Sequence, residues 1–130
     1  MNAQLNDIID LAAATPSLAA LWLYGSRARG DSALHSDYDL AVAFNDWEQD
    51  ALERRLRPEL LALDWSKTLS VPEGKLSIVD IGIAPVPLAW SILSEGKLLL
   101  DQSPQIRMTQ EARIMSMWEL DYLYHQKQFA

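Results

Sequence analysis

Leu21-Trp22-Leu23-Tyr24-Gly25-Ser26, ten residues, and then Asp37-Tyr38-Asp39 is the stretch that decides the fold. In a strand, residues i and i+2 point to one face, so Asp37 and Asp39 present their carboxylates side by side. Two neighbouring carboxylates repel unless a cation sits between them. Hard oxygen donors at an open cleft suit Mg²⁺, which is commonly held by one or two carboxylates together with the phosphates of a nucleotide. The spacing therefore predicts metal-assisted phosphoryl chemistry.

The residues before the acids fit the same frame. Leu21 to Tyr24 reads as a buried strand running into Gly25, where a missing side chain lets the backbone approach a bulky ligand. Ser26 offers a hydroxyl and a backbone N–H, and a short helix starting there would turn its free N–H groups and dipole toward terminal phosphates. Arg27 and Arg29 add cationic forks for phosphate oxygens. Gly25, Ser26, Arg27 and Arg29 are thus the expected nucleotide contacts, and Gly30 lets the chain turn away.

A third acid lies in Leu76 to Ile83, a β-branched run with Asp80 at its centre. A charge between Val79 and Ile81 is costly to bury without a partner. Alternation places Ile78, Asp80 and Gly82 on one face and Val79, Ile81 and Ile83 on the other, so Asp80 is expected to look into a cleft. On a strand beside Asp37 and Asp39 it would serve as general base or as a third metal ligand.

With these residues in place, the chain resembles the nucleotidyltransferases of the DNA polymerase β superfamily. It looks most like the minimal nucleotidyltransferases, MNT, many of them antitoxins paired with HEPN-domain ribonuclease toxins. Gly25-Ser-Arg-Ala-Arg-Gly-Asp and then Ser36-Asp-Tyr-Asp-Leu-Ala-Val carry the likeness. The resemblance implies an α/β (α+β) fold with a small mixed sheet flanked by helices. It also implies transfer of AMP from ATP to a toxin tyrosine, which silences the toxin. Ser26 would contact the nucleotide phosphates, and Asp37 and Asp39 would hold Mg²⁺. Asp80 matches the third-acid position only loosely, because its distance from the pair is not set by the motif. Two alternatives stay open: a nucleotidyltransferase acting on a small molecule such as an aminoglycoside, and an antitoxin that acts by binding alone.

Composition narrows the classes. At 130 residues with 49% hydrophobic content, one folded domain spanning 1–130 is expected. With no cysteine there are neither disulfides nor thiolate metal sites, and two histidines argue against a zinc enzyme. No leader opens the sequence and no apolar run approaches a membrane span, so no membrane partner and a cytoplasmic location are expected. Eighteen acids against 11 bases give a net charge of −7. Nucleic-acid binding rests on Lys and Arg, so a nucleic-acid substrate is disfavoured. An acidic body suits a basic partner protein, and it serves ordinary solubility equally well.

Along the chain, elements alternate. Gln4 to Ala14 reads as a helix stopped at Pro16, and Asn45 or Asp46 as the cap of a second helix from Trp47 to Asp64 that Pro58 kinks or divides. Its charged residues, Arg54, Arg55 and Arg57 among them, read as a wet face. A short helix from Leu88 to Ser94 closes at Gly96, and Lys97 to Asp101 is extended. His35 and Ser36 read as loop-shaping residues, Tyr38 as core, and Tyr24 as strand packing. The last helix takes Ser103 as cap and Pro104 in its first turn. Apolar residues on more than one of its faces, Met115, Trp118 and Tyr122 against Ile114, Met117 and Tyr124, fit either core packing or docking of a partner protein or second copy.

Overall fold

Both faces of the first strand are apolar, and the reason is that helices cover the sheet on either side. In a computed structural model, which describes residues 3–30 and 36–129, the order is α1 (Ala3–Ala13), β1 (Leu18–Tyr24), α2 (Gly25–Arg29), β2 (Tyr38–Phe44), α3 (Ala51–Leu69), β3 (Leu76–Asp80), α4 (Val86–Glu95), β4 (Lys97–Asp101) and α5 (Pro104–Phe129). The four strands form one mixed sheet in the order β3-β2-β1-β4. β1 runs antiparallel to β2 and β4, and β2 runs parallel to β3. The α+β class and the C-terminal helix are as the sequence implies. His35 lies outside the described residues.

Two cores sandwich the sheet. On one side Leu18, Leu21, Leu40, Val42 and Ile78 pack with Leu5, Ile8 and Ala12 of α1 and Trp65 of α3. On the other, Ala20, Trp22, Ala41 and Ala43 pack with Ala89 and Ile92 of α4 and Ile114 of α5. Small residues on the second side let α4 and α5 approach closely. A double-sided sheet explains why β1 reads as an unbroken apolar run rather than an alternating one.

Several element boundaries differ from the sequence reading. α3 starts at Ala51, because Asp50 is its cap: the Asp50 Oδ1 accepts the Glu53 backbone N–H at 2.9 Å. Asn45 and Asp46 are spent elsewhere, Asn45 Nδ2 donating to the Pro16 carbonyl at 2.7 Å and Asp46 pairing with Arg57 at 3.0 Å. Pro58 does not divide the helix, which continues through it with the ring buried against the sheet side. Nor are all its arginines simply wet: Arg57 lies 3.8 Å from the Phe44 ring centroid and Arg54 lies 4.2 Å from that of Trp47.

α4 and α5 pack against each other through a parallel stack of Trp90 on Trp118, centroids 5.3 Å apart. Ser103 takes the cap position of α5, its carbonyl accepting the Arg107 N–H at 3.0 Å. Ile114 is the buried residue of this helix, whereas Leu120, Tyr122, Leu123 and Tyr124 are exposed. Among the described residues, no helix is long and apolar enough to cross a membrane.

Candidate active site

The site forms where β1 ends and β2 begins. β1 stops at Tyr24, which pairs across the sheet with Asp39, and the chain turns at once into α2 through Gly25 at φ +73°. That left-handed value favours glycine, and space demands it too: a side chain on Gly25 would run into the Asp39 carboxylate, with the Asp39 Cβ only 3.2 Å from the position a Cβ would take. The glycine and the second aspartate of the motif thus interlock. Ser26 follows directly, at the start of a helix only five residues long that ends in Gly30 at φ +80°.

Asp37, just before β2, is exposed and Asp39, within it, is half-buried. Burial raises the Asp39 pKa, the neighbouring charge of Asp37 raises it further, and Arg29 opposes both. Tyr24 is also pushed up, by burial first and by the Asp39 charge second. The charges of Asp37 and Asp39 repel, Arg29 offsets part of that repulsion, and a bound cation would offset more. Asp37 also borders a hollow of about 750 Å³ whose walls include Gln4, Glu73 and Lys75.

Arg27 is engaged with the backbone ahead of β2. Its Nη2 donates to the Ser36 carbonyl at 2.6 Å, and its Nε lies 3.2 and 3.3 Å from the Ser36 and Asp37 carbonyls. The guanidinium sits 3.9 Å from the centroid of the Tyr38 ring, itself buried in the core. Arg27 therefore ties α2 to the backbone that carries Asp37. Lys75, which the sequence reading passed over, joins it: its Nζ donates to the same Ser36 carbonyl at 2.8 Å. No local signal marks Lys75, since only the parallel pairing of β3 with β2 brings it there.

Asp80 corrects the expectation of a convergent trio. In the parallel register Asp39 stands beside Ser77, whereas Asp80 stands beside Val42, three residues further along β2. At about 3.3 Å per residue that is roughly 10 Å along the strand. Asp80 also shares its face with Leu76 and Ile78, the face opposite Asp39, and is 5% exposed rather than open to a cleft. Its Oδ1 accepts the Gly82 N–H at 2.8 Å, shaping the turn that ends β3. Burial raises its pKa against that hydrogen bond and the charges of Arg57, Arg113 and Arg54. Among the described residues, no group of three or more His, Cys, Asp or Glu is placed to hold a metal.

The sequence model of the family described as "Polymerase beta, Nucleotidyltransferase" matches residues 6–105. Among solved structures, the chain is similar to one in a toxin–antitoxin structure with AMP-PNP, at 25% identity and TM-score 0.71, covering 98% of this chain and 94% of that one. It is also similar to a chain of a mutant MntA–HpeT toxin–antitoxin structure, at 26% identity and TM-score 0.69, with 98% and 93% covered. A third likeness, at 24% identity and TM-score 0.65 over 96% and 90%, is to a structure of tri-AMPylated Shewanella oneidensis HEPN toxin in complex with MNT antitoxin, and establishes the fold. No curated protein sequence matches the chain.

Proposed function

This chain belongs to the polymerase beta nucleotidyltransferase family, and from that premise we propose that it is an antitoxin enzyme that transfers AMP from ATP to a tyrosine hydroxyl of a cognate HEPN ribonuclease toxin. What carries this is the fit of Gly25 against Asp39, with Asp37 close enough for its charge to act on Asp39 and Ser26 at the turn. Support for the partner class comes from two relatives at 25% and 26% identity over nearly the whole chain, both in toxin–antitoxin structures and one with AMP-PNP. The net charge of −7 is consistent with a basic protein partner rather than a nucleic acid. We assign the whole of 1–130 to one domain working in the cytoplasm.

The donor set fits Mg²⁺: two carboxylates near one another in sequence, Asp39 with its pKa raised by burial first and by the Asp37 charge second, and no cysteine to compete. Bound there, the ion would supply positive charge to a phosphate under attack. Asp37 and Asp39 would hold it, Gly25 leaves room for the Asp39 carboxylate, and Ser26 and Arg29 would meet the outer phosphates. Arg27 acts as a positioning residue through the Ser36 and Asp37 carbonyls. The acceptor oxygen forms its bond to the α-phosphorus as the bond to the bridging oxygen breaks and pyrophosphate departs. A phenol, with an ordinary pKa of about 10, can release its proton to solvent more readily than an aliphatic hydroxyl. A tyrosine acceptor therefore suits a site from which Asp80 is withdrawn.

The test uses purified protein, Mg²⁺ and the co-expressed partner. ATP labelled at the α-phosphate is expected to label the partner, ATP labelled at the γ-phosphate is not, and Asp39→Asn is expected to abolish the signal. Labelling from the γ position would indicate a kinase, and labelling of an added aminoglycoside a small-molecule transferase. Full protection of cells by the Asp37→Asn, Asp39→Asn double variant would indicate neutralisation by binding alone.

A further inference from the structure

A row of side chains crosses the sheet at the level of Asp39. Tyr24 of β1 stands opposite Asp39 in the antiparallel register, and Ser77 of β3 stands beside it in the parallel one. Neighbouring strands lie about 4.8 Å apart and paired residues point to one face. Ser77 is therefore the side chain next to Asp39 on the side away from Gly25 and Ser26, while Leu76, Ile78 and Asp80 belong to the other face. Ser77 is exposed, and Val79, the next residue on its face, is apolar and half-buried. A hollow of about 580 Å³ opens beside both along β3, an edge strand that pairs only with β2 among the described residues.

Phosphoryl transfer needs the attacking and leaving oxygens roughly in line. The AMP transfer proposed for this site sends pyrophosphate toward Ser26 and Arg29. On the basis of that transfer, we infer that the acceptor hydroxyl enters from the opposite side, over Ser77, and that Ser77 restricts the acceptor to a phenol by leaving this side open and without a base. The phenolic oxygen bonds to the α-phosphorus as the bond to the bridging oxygen breaks, and the phenolic proton passes to water. An aliphatic hydroxyl, a far weaker acid than a phenol with its pKa of about 10, would need a proton acceptor there, and a serine hydroxyl is too weak a base to be one. Nor do the charged groups nearby supply it. Asp37 and Asp39 are committed to the cation, Arg29 is itself cationic, and Tyr24 lies beyond Asp39. Lys75 donates from its Nζ to the Ser36 carbonyl at 2.8 Å, and Glu73 sits in the turn before β3. Glu59 of α3 borders the hollow from the opposite face of the sheet. Arg113 of α5 donates to the Ile81 carbonyl at 3.1 Å, past the end of β3.

Two variants test this with purified protein, Mg²⁺, ATP labelled at the α-phosphate and the co-expressed partner. Ser77→Trp fills the acceptor side; it is expected to lower transfer by about a hundredfold or more, while its affinity for AMP-PNP by calorimetry stays within about threefold of wild type. Ser77→Asp instead adds a carboxylate that can take the proton. In single turnovers between about pH 6 and pH 8, wild-type transfer is expected to rise about tenfold per pH unit as the phenol ionises, and transfer by Ser77→Asp less than about twofold per unit. Should Ser77→Trp fail to fold, the two pH profiles decide. Undiminished transfer by Ser77→Trp, an equal loss of its AMP-PNP binding, a flat wild-type profile, or a Ser77→Asp profile as steep as wild type would overturn the assignment of Ser77 while AMP transfer itself stands. A wild type that labels no partner would overturn both.

Discussion

Gly25 is the residue on which the site turns. Its φ of +73° costs an ordinary L-residue about 1–2 kcal/mol, and any side chain there also meets the Asp39 carboxylate. Gly25→Ala is therefore expected to keep the fold while displacing Asp39, lowering transfer by about a hundredfold or more and raising the Mg²⁺ concentration needed for half-maximal rate; unchanged Mg²⁺ dependence would refute the interlock. Asp80 makes the opposite case. With its carboxylate turned to the far core, Asp80→Asn keeps the acceptor for the Gly82 N–H and removes only charge. Transfer is expected to stay within about threefold of wild type, where Asp39→Asn loses it. Stability carries a sign as well. Burial raises the Asp80 pKa above the ordinary 3.8, so the folded state holds the proton more tightly than the unfolded chain. Its stabilising contribution is complete below the ordinary value and is lost as pH rises through the raised one. Urea midpoints of metal-free protein between about pH 4 and pH 7 are expected to fall less in Asp80→Asn than in wild type.

Elements show how far local sequence reaches. Asp50 caps α3 in the pattern Asp50-x-x-Glu53, a signal present in the sequence but masked by the better-known cap residues Asn45 and Asp46 just before it. Asp50→Ala is expected to cost about 1 kcal/mol, a fall in melting temperature of roughly 3–5 °C, with transfer unchanged. β1 and the Gly25-Ser26 turn were legible because each rests on neighbours within a few residues. The side of the sheet to which Asp80 belongs was not, because strand alternation fixes which residues share a face and leaves open which face meets the site. Here both faces are covered, so apolar neighbours on either side of Asp80 carry no direction. The contacts of Arg27 with the chain ahead of β2 were hidden for a related reason. A guanidinium after a phosphate-binding turn reads as a phosphate ligand, and only the packing of Tyr38 shows that it is engaged with the backbone before β2.

At the scale of the whole molecule, α5 extends past the body it packs on. Twenty-six residues make a helix about 39 Å long, whereas the outer two of four strands lie roughly 14 Å apart at about 4.8 Å spacing. Ile114 is the last fully buried residue and Trp118, stacked on Trp90, the last anchored one; residues 119–127 are all exposed. Leu120, Tyr122, Leu123 and Tyr124 together make a helical end rich in the residue types that form interface cores. α5 packs on the sheet face that carries Asp39, so a partner held by this end would meet the nucleotide from the correct side. A chain ending at Trp118 is expected to keep its melting temperature within about 3 °C, since few buried contacts are lost, and to bind AMP-PNP as the full chain does. Transfer to the toxin is expected to fall by about tenfold or more, through KM rather than kcat, because what is removed is uniform binding energy and not a group at the reacting atoms. Undiminished kcat/KM for the toxin in the shortened chain would show that the exposed end of α5 plays no part in capturing it.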